Sequence, residues 1–248
     1  MSDDLVHPGG KLRLFVEAPL AEGARFSPGE AQSHYLLHVM RAKRGDRLTL
    51  FNGSDGEWAA CIAETAKRNA VLECLSLLAP QSEVPDLWLV FAPVKKTPAD
   101  YLAQKATELG VRLLQPVITR RTIVTRVNLD RLKANAVEAA EQSGRLGVPE
   151  VREPLAFDTL LQNWPPERRL LYCDEAGAPP IAEALQTAPA GPWAVITGPE
   201  GGFAPEEREA LRARSFVTPV SLGRRILRAD TAALAALAVW QSLCGDWN

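Results

Sequence analysis

The chain has 248 residues, 46% hydrophobic and 23% charged, with a formal net charge of −2. That size and mix suit two modest globular domains or one large one, with ample core and no need of covalent staples. A slightly negative molecule is no polycation, so any nucleic-acid contact has to come from local basic faces.

The opening MSDDLVHPGG is acidic and lacks an apolar core, so no signal peptide is expected. The longest uncharged apolar run, near Ala232–Trp240, falls well short of the roughly 20 residues that span a bilayer. A cytosolic protein with reduced thiols is expected. Cys61, Cys74, Cys173 and Cys244 are scattered without CxxC spacing, and His7, His34 and His38 lie far from most of them. His34 and His38 would share a helix face, but Tyr35 stands where a zinc-protease helix needs glutamate, and no third ligand is in view. No metal is expected.

The first ~80 residues read as β-rich, with short runs at Leu12–Val16, Arg47–Phe51, Glu57–Ala63 and Ala70–Leu77. Asn52 to Gly56 has the glycine and Asn/Asp content of a hairpin loop. A short helix is expected over Gly29–Met40. The stretch APQSEVPD, Ala79–Asp86, reads as a linker, which puts one domain at 1–80 and another at 87–248.

After the linker the rhythm changes. Leu87–Val94 is a continuous apolar run, the mark of a strand buried on both faces. Thr97-Pro98 opens a helix that stops before Gly110. Strands follow at Val111–Ile118, Leu170–Cys173, Pro192–Ile196 and Phe216–Leu222, with helices at Asn128–Ser143, Pro205–Arg214 and Thr231–Cys244, where Thr231 reads as the N-cap. Such alternation means an α/β domain with a mostly parallel sheet.

Two late stretches carry chemistry. TGPEGGFAPEE, Thr197 to Glu207, ends a strand in a loop almost free of side chains. It lies where open α/β sheets bind ligands, yet matches neither GxGxxG nor GxxxxGK[ST]. Glu200, Glu206 and Glu207 disfavour a phosphate there and suit a cationic or hydroxyl-rich ligand. An ordinary strand-to-helix turn is the plain alternative. SLGRRILRADTAALAAL, Ser221 to Leu237, again ends a strand in glycine and passes through three arginines into an apolar helix. Two such loops can form one pocket.

The pair GPEGGF and LGRRILRADTA resembles the last two signature segments of the SPOUT methyltransferases, and within them the RsmE-type enzymes that methylate N3 of a uridine in small-subunit 16S rRNA. HYLLHVMRAKRGDRLTLFNGSDGEW, QKATELGV and EAAEQSGRLGVPEV are in the same family's style, so the resemblance covers nearly the whole chain. Ser143 stands where members often carry cysteine, which argues that a thiol there is dispensable. The resemblance implies a small PUA-like β-barrel domain for RNA binding, then an α/β SPOUT domain with a C-terminal trefoil knot, S-adenosylmethionine as cofactor, and a homodimer. Nothing in the periodicity points to a knot. Ala232, Ala235 and Ala236 suit either close helix contact across a dimer or an ordinary buried helix.

Carried over by resemblance, Thr197, Gly198, Pro199, Glu200, Gly201 and Gly202 would form one wall of the cofactor site. Ser221, Leu222, Gly223, Ile226, Leu227 and Thr231 would form the other. Glu200 would accept from a ribose hydroxyl or hold the loop; both readings stay open. Arg228 is the first candidate to stabilise an imide anion. Glu141 and Arg145 are four apart on a helix, either as base and partner or as a surface salt bridge. Neither signature loop contains a cysteine, which suits attack by nitrogen rather than carbon. RNA contact is expected from Arg13, Arg41, Lys43, Arg44 and Arg47, from Lys95 and Lys96, and from Arg120 and Arg121, with Arg126 nearby. The alternatives are another SPOUT RNA methyltransferase, with a tRNA or ribose 2′-hydroxyl target, and a non-catalytic ribosome assembly factor.

Overall fold

The computed structural model describes residues 9–94, 99–124 and 126–247. They fall into two compact units, 1–83 with Ala140–Val148, and Val84–Ala139 with Pro149–Asn248.

In the first unit β1 (Arg13–Phe15), β2 (Arg25–Phe26), β3 (Arg47–Phe51), β4 (Glu57–Thr65) and β5 (Ala70–Ala79) form one sheet in the order β1-β3-β4-β5-β2. Register shifts between β4 and β5 kink the long pair. The loop from Asn52 to Gly56 is built by side-chain chemistry. Asn52 Oδ1 accepts from the Ser54 and Asp55 amides, while Asp55 Oδ2 accepts from Leu20 N at 2.9 Å and Asn52 Nδ2 at 2.6 Å. The Leu20 amide, then Asn52, hold the Asp55 carboxyl below its usual range. Gly56 has φ +84°, and a Cβ there would sit 2.3 Å from the Ala79 carbonyl oxygen.

The helix expected over Gly29–Met40 is α1 (Glu30–His34) followed by one wider turn, Tyr35–Val39, where Met40 N donates to Tyr35 O. Arg41, at φ +54°, ends it. His34 and His38 do share a face, with ring centroids 4.8 Å apart.

The segment 140–148 joins this unit through Arg13. Its guanidinium donates to the Ala140 and Arg145 carbonyl oxygens at 2.6 and 2.8 Å, pairs with Glu57 at 2.6 Å, and lies 4.0 Å from the Phe51 ring centroid. Phe15 N donates to Glu141 Oε1, and Phe51 packs on Ala140 and Leu146.

In the second unit β6 (Leu87–Phe91), β7 (Leu113–Ile118), β8 (Glu150–Val151), β10 (Arg169–Cys173), β11 (Trp193–Thr197) and β12 (Val217–Val220) run in the order β12-β10-β11-β6-β7-β8, with β9 (Leu155–Ala156) also on β7. Every pairing in this sheet is parallel. Parallel strands need a cover on both faces. Leu87, Leu89, Phe91 and Val195 pack with α2 (Ala99–Glu108), α3 (Leu129–Ser143), α5 (Ile181–Gln186) and α7 (Ala229–Cys244). Val90, Ala194, Ile196 and Tyr172 pack on the other face with α4 (Phe157–Gln162) and α6 (Pro205–Arg212). The short elements β2, β8, β9, α4 and α5 were not expected, because none is long enough to show a period.

Leu114 is fully buried and pairs with Leu89 in register. Leu114→Ala is expected to lower the unfolding free energy by about 2–5 kcal/mol in urea titration. A loss under ~1 kcal/mol would contradict the packing described.

Candidate functional site

The glycine loop begins where β11 ends. Thr197 is buried, and its carbonyl oxygen accepts from Ala92 N at 3.1 Å. Gly202 N closes a turn onto Pro199 O at 2.8 Å, with Gly202 at φ +65°. A Cβ at Gly198 would come within 3.0 Å of the Phe203 ring, which is buried against Tyr172 and Phe157. A chain this bare has few side chains of its own to hold its shape, so neighbours do it. The buried Glu207 carboxylate accepts from Ala204 N and from Arg120 N, each at 2.8 Å, and Arg121 Nη1 donates to Gly201 O at 2.7 Å.

The second loop follows β12. Ser221 N donates to Pro179 O, and Ile181 N donates to Ser221 O, which anchors the loop's start. Gly223 takes φ +106°, and Ile226 is 87% exposed. The expected N-cap at Thr231 is corrected: α7 starts at Ala229 with Arg228, in extended backbone, as the cap. Thr231 therefore falls in the first turn, because the chain turns helical as soon as it leaves the arginine-rich loop.

Both loops line one cavity of about 460 Å³. Every residue expected on its walls is there except Thr231, which is exposed on the helix and outside the lining. Of the three loop carboxylates only Glu200 lines it, since Glu207 is turned inward and Glu206 pairs with Arg120 at 3.1 Å. A third wall was missed: Tyr172, Cys173, Asp174 and Glu175 at the end of β10. No local pattern marks it: β10 lies between β11 and β12 in the parallel sheet, so its carboxyl end shares the crevice. Asp174 is buried and paired with Arg212 at 2.6 Å, and it accepts from Ala176 N. That pair raises the Arg212 guanidinium pKa further, chiefly through the hydrogen bond. Burial, then the Asp174 charge, keeps the Tyr172 phenol neutral. Burial alone pushes the Cys173 thiol up to about 12, the opposite of an activated nucleophile.

A family model described as an RNA methyltransferase domain matches residues 80–241, and one described as an RNA methyltransferase PUA domain matches residues 28–74. The chain belongs to this RNA methyltransferase family. It is 33% identical over 230 residues to the ribosomal RNA small subunit methyltransferase E of Rickettsia conorii, covering 91% of this chain and 93% of that one. The Synechocystis enzyme of the same name is 36% identical over 214 residues, covering 84% and 70%. A crystal structure of the Neisseria gonorrhoeae ribosomal RNA small subunit methyltransferase E, bound to S-adenosyl methionine, superposes with a TM-score of 0.86 at 30% identity, covering 96% of this chain and 99% of that one.

The other expected residues are spread more widely. Arg228 lines the cavity. Glu141 and Arg145 do not; they lie in the segment that packs with the first unit, where Glu141 accepts from a backbone amide. Arg13 is also internal there, its side chain 14% exposed, which leaves little guanidinium for a phosphate. Arg41, Lys43, Arg44 and Arg47 are exposed in the first unit, beside exposed Tyr35, Val39 and Met40. Arg120 and Arg121 are exposed but engaged with the glycine loop and α6. Lys95 and Lys96, like the Thr97-Pro98 helix start, lie outside the described residues. Among the described residues no group of three or more His, Cys, Asp and Glu side chains is placed to hold a metal ion. No helix of the described residues is long and apolar enough to cross a membrane.

With a pKa raised from 9.0 to about 12, Cys173 stays a thiol when folded, whereas an unfolded chain ionises it from about pH 9 upward. Its contribution to stability is complete below pH 9 and declines as pH rises toward 12. In native protein at pH 8, iodoacetamide is expected to spare Cys173 and to alkylate it only in denaturant, read by peptide mass spectrometry. Rapid native labelling would show a thiolate at the site.

Proposed function

We propose that the protein transfers the methyl group of S-adenosylmethionine to N3 of a uridine in 16S rRNA of the small ribosomal subunit, acting as a cytoplasmic homodimer with a knotted C-terminus. The observation that carries this reading is the cavity itself. Two bare loops, at the carboxyl ends of the parallel strands β11 and β12 that flank β10, enclose about 460 Å³, a volume suited to a nucleoside-sized ligand, in a chain of this family.

The residues present fit the cofactor. Gly198, Gly201 and Gly202 leave backbone amides and carbonyls open to a bulky adenosine, and Glu200 and Glu175 give a cationic sulfonium ligand negative surroundings. When bound, S-adenosylmethionine supplies an electrophilic methyl group. The chain's task is to align a nitrogen with it and to make that nitrogen a better nucleophile. N3 of uridine carries a proton; as it passes to water, negative charge spreads onto the two ring carbonyl oxygens. Arg228, at the cavity wall and at the cap of α7, is placed to donate to that developing anion. The N3 lone pair then forms the new N–C bond while the C–S bond breaks toward sulfur. Alignment supplies most of the rate. A half-buried Cys173 whose pKa is pushed up argues against thiol-addition chemistry at ring carbon.

The exposed basic run Arg41 to Arg47 gives the first unit a face for phosphates. Nearby Tyr35 adds an aromatic surface for stacking. The order β12-β10-β11, with α7 last, supports a chain that returns through its own late loops.

The reading is tested with methyl-labelled S-adenosylmethionine and small subunits from cells lacking the endogenous activity, followed by nucleoside analysis. Label in 3-methyluridine, faster with assembled subunits than with free rRNA, is the expected result. Label in another nucleoside would move the target, and bound cofactor with no label would favour an assembly factor. Gly198→Val is expected to weaken S-adenosylmethionine binding at least tenfold by calorimetry, because the side chain collides with Phe203. Arg228→Ala is expected to lower kcat by about 10²–10³-fold, the range for loss of one anion-stabilising donor; a kcat within threefold of wild type would remove Arg228 from the mechanism.

A further inference from the structure

Beside the cofactor cavity lies a second one, of about 240 Å³, at the carboxyl ends of β6 and β7. Its walls are Pro93 and Val94 after β6, Asp100 in the first turn of α2, and Val124, Arg126 and Asn128 leading into α3. Val94 lines both cavities, so they share a wall. The place has topological meaning. From β6 the sheet grows one way through β7 to β8, while β11, β10 and β12 extend it the other way. The order reverses between β6 and β11, and crevices at such points are where parallel sheets receive ligands. The cofactor cavity takes the β11 side of that reversal, and this smaller cavity takes the β6 side.

Resting on the function proposed above, we propose that this second cavity receives the flipped target pyrimidine, with Arg126 and Asn128 reading one of its carbonyl oxygens and N3 turned toward the cofactor cavity. The size suits a single base rather than a nucleoside-sized ligand. A base held there is out of its stack, as methylation at N3 requires, and its cavity adjoins the methyl-donor cavity at Val94. The polar lining suits uracil, which offers two carbonyl oxygens on either side of N3. Arg126 is exposed and forms no ion pair among the described residues, so its fork of donors is available. Asn128 uses its Oδ1 to cap α3, accepting from Arg131 N at 3.0 Å, which turns its amide NH₂ into a fixed donor. Asp100 and Arg131 form an ion pair across the floor, so the floor presents no uncompensated charge to a neutral base. Val124 and Val127 supply apolar faces for the ring.

Three variants test the assignment without disturbing the cofactor loops. Arg126→Ala removes one donor. Asn128→Asp keeps the cap acceptor and replaces the amide donor with a carboxylate. Val124→Trp fills the cavity. Each is first checked for an unchanged melting curve, and S-adenosylmethionine affinity is measured by calorimetry. Steady-state methylation of small subunits is then followed at several salt concentrations. The expected result is a kcat lowered about 100-fold, with cofactor affinity and KM for the subunit within about twofold of wild type. Arg126→Lys is expected to recover part of the loss. If Arg126→Ala instead raises KM and flattens the salt dependence with kcat unchanged, the arginine binds a phosphate and the proposal is overturned. It is also overturned if cofactor affinity falls in step with rate, or if all three variants are as active as wild type. Wild-type protein separates the two readings: failure to make 3-methyluridine would defeat the proposed function, and this assignment with it, before any variant is compared.

Discussion

A single carboxylate sets the shape of the glycine-loop wall of the larger cavity. Glu207 sits at the start of α6, buried to 4% exposure, and takes the amide of Ala204 and the amide of Arg120 on its two oxygens. One bond closes the first turn of the helix; the other reaches across to the loop after β7. Desolvating a carboxylate is costly unless its acceptors are filled, and here two backbone donors and the helix N-terminus fill them. The arrangement is needed because a segment of three glycines and a proline has little internal means of holding one conformation. Loop flexibility that would otherwise be lost on ligand binding is removed in advance.

The all-parallel sheet explains why the rest follows. Strands covered by helices on both faces leave only their ends open, and all six main strands end on the same side. Loops after β10, β11 and β12 enclose the larger cavity, and loops after β6 and β7 the smaller. Rigid strand ends place bare loops; outside side chains such as Glu207, Arg121 and the Asp174–Arg212 pair fix them; and the exposed residues left over, Ile226 and Arg228 among them, face the cavity. Stability and function are divided between different residues within a few positions of each other.

Much of this was legible in the sequence. The apolar runs marked β6, β7, β10 and β11 because a strand buried twice needs no alternation, and the glycine-bearing loops, bare of side chains, marked the two segments that line the larger cavity. What could not be read was contact over distance. Glu141 and Arg145 looked like a helix pair, but nothing in the local pattern shows that residues 140–148 are tied to Arg13, more than a hundred positions earlier. The same blindness hid Asp174 and Glu175, which reach the cavity only because β10 lies beside β11. Glu207 was read as a ligand-facing charge; its burial depends on where Arg120 lies, which no spacing encodes.

Glu207 holds the glycine loop in one conformation ahead of any ligand. The most direct check is the affinity of S-adenosylmethionine for Glu207→Gln, measured by calorimetry beside wild type and with melting curves to show that both are folded. Glutamine retains one acceptor and puts an NH₂ against a backbone amide, so the loop should loosen and affinity fall at least tenfold. Equal affinity in a folded variant would show that the loop holds its shape without the carboxylate, and would contradict the account.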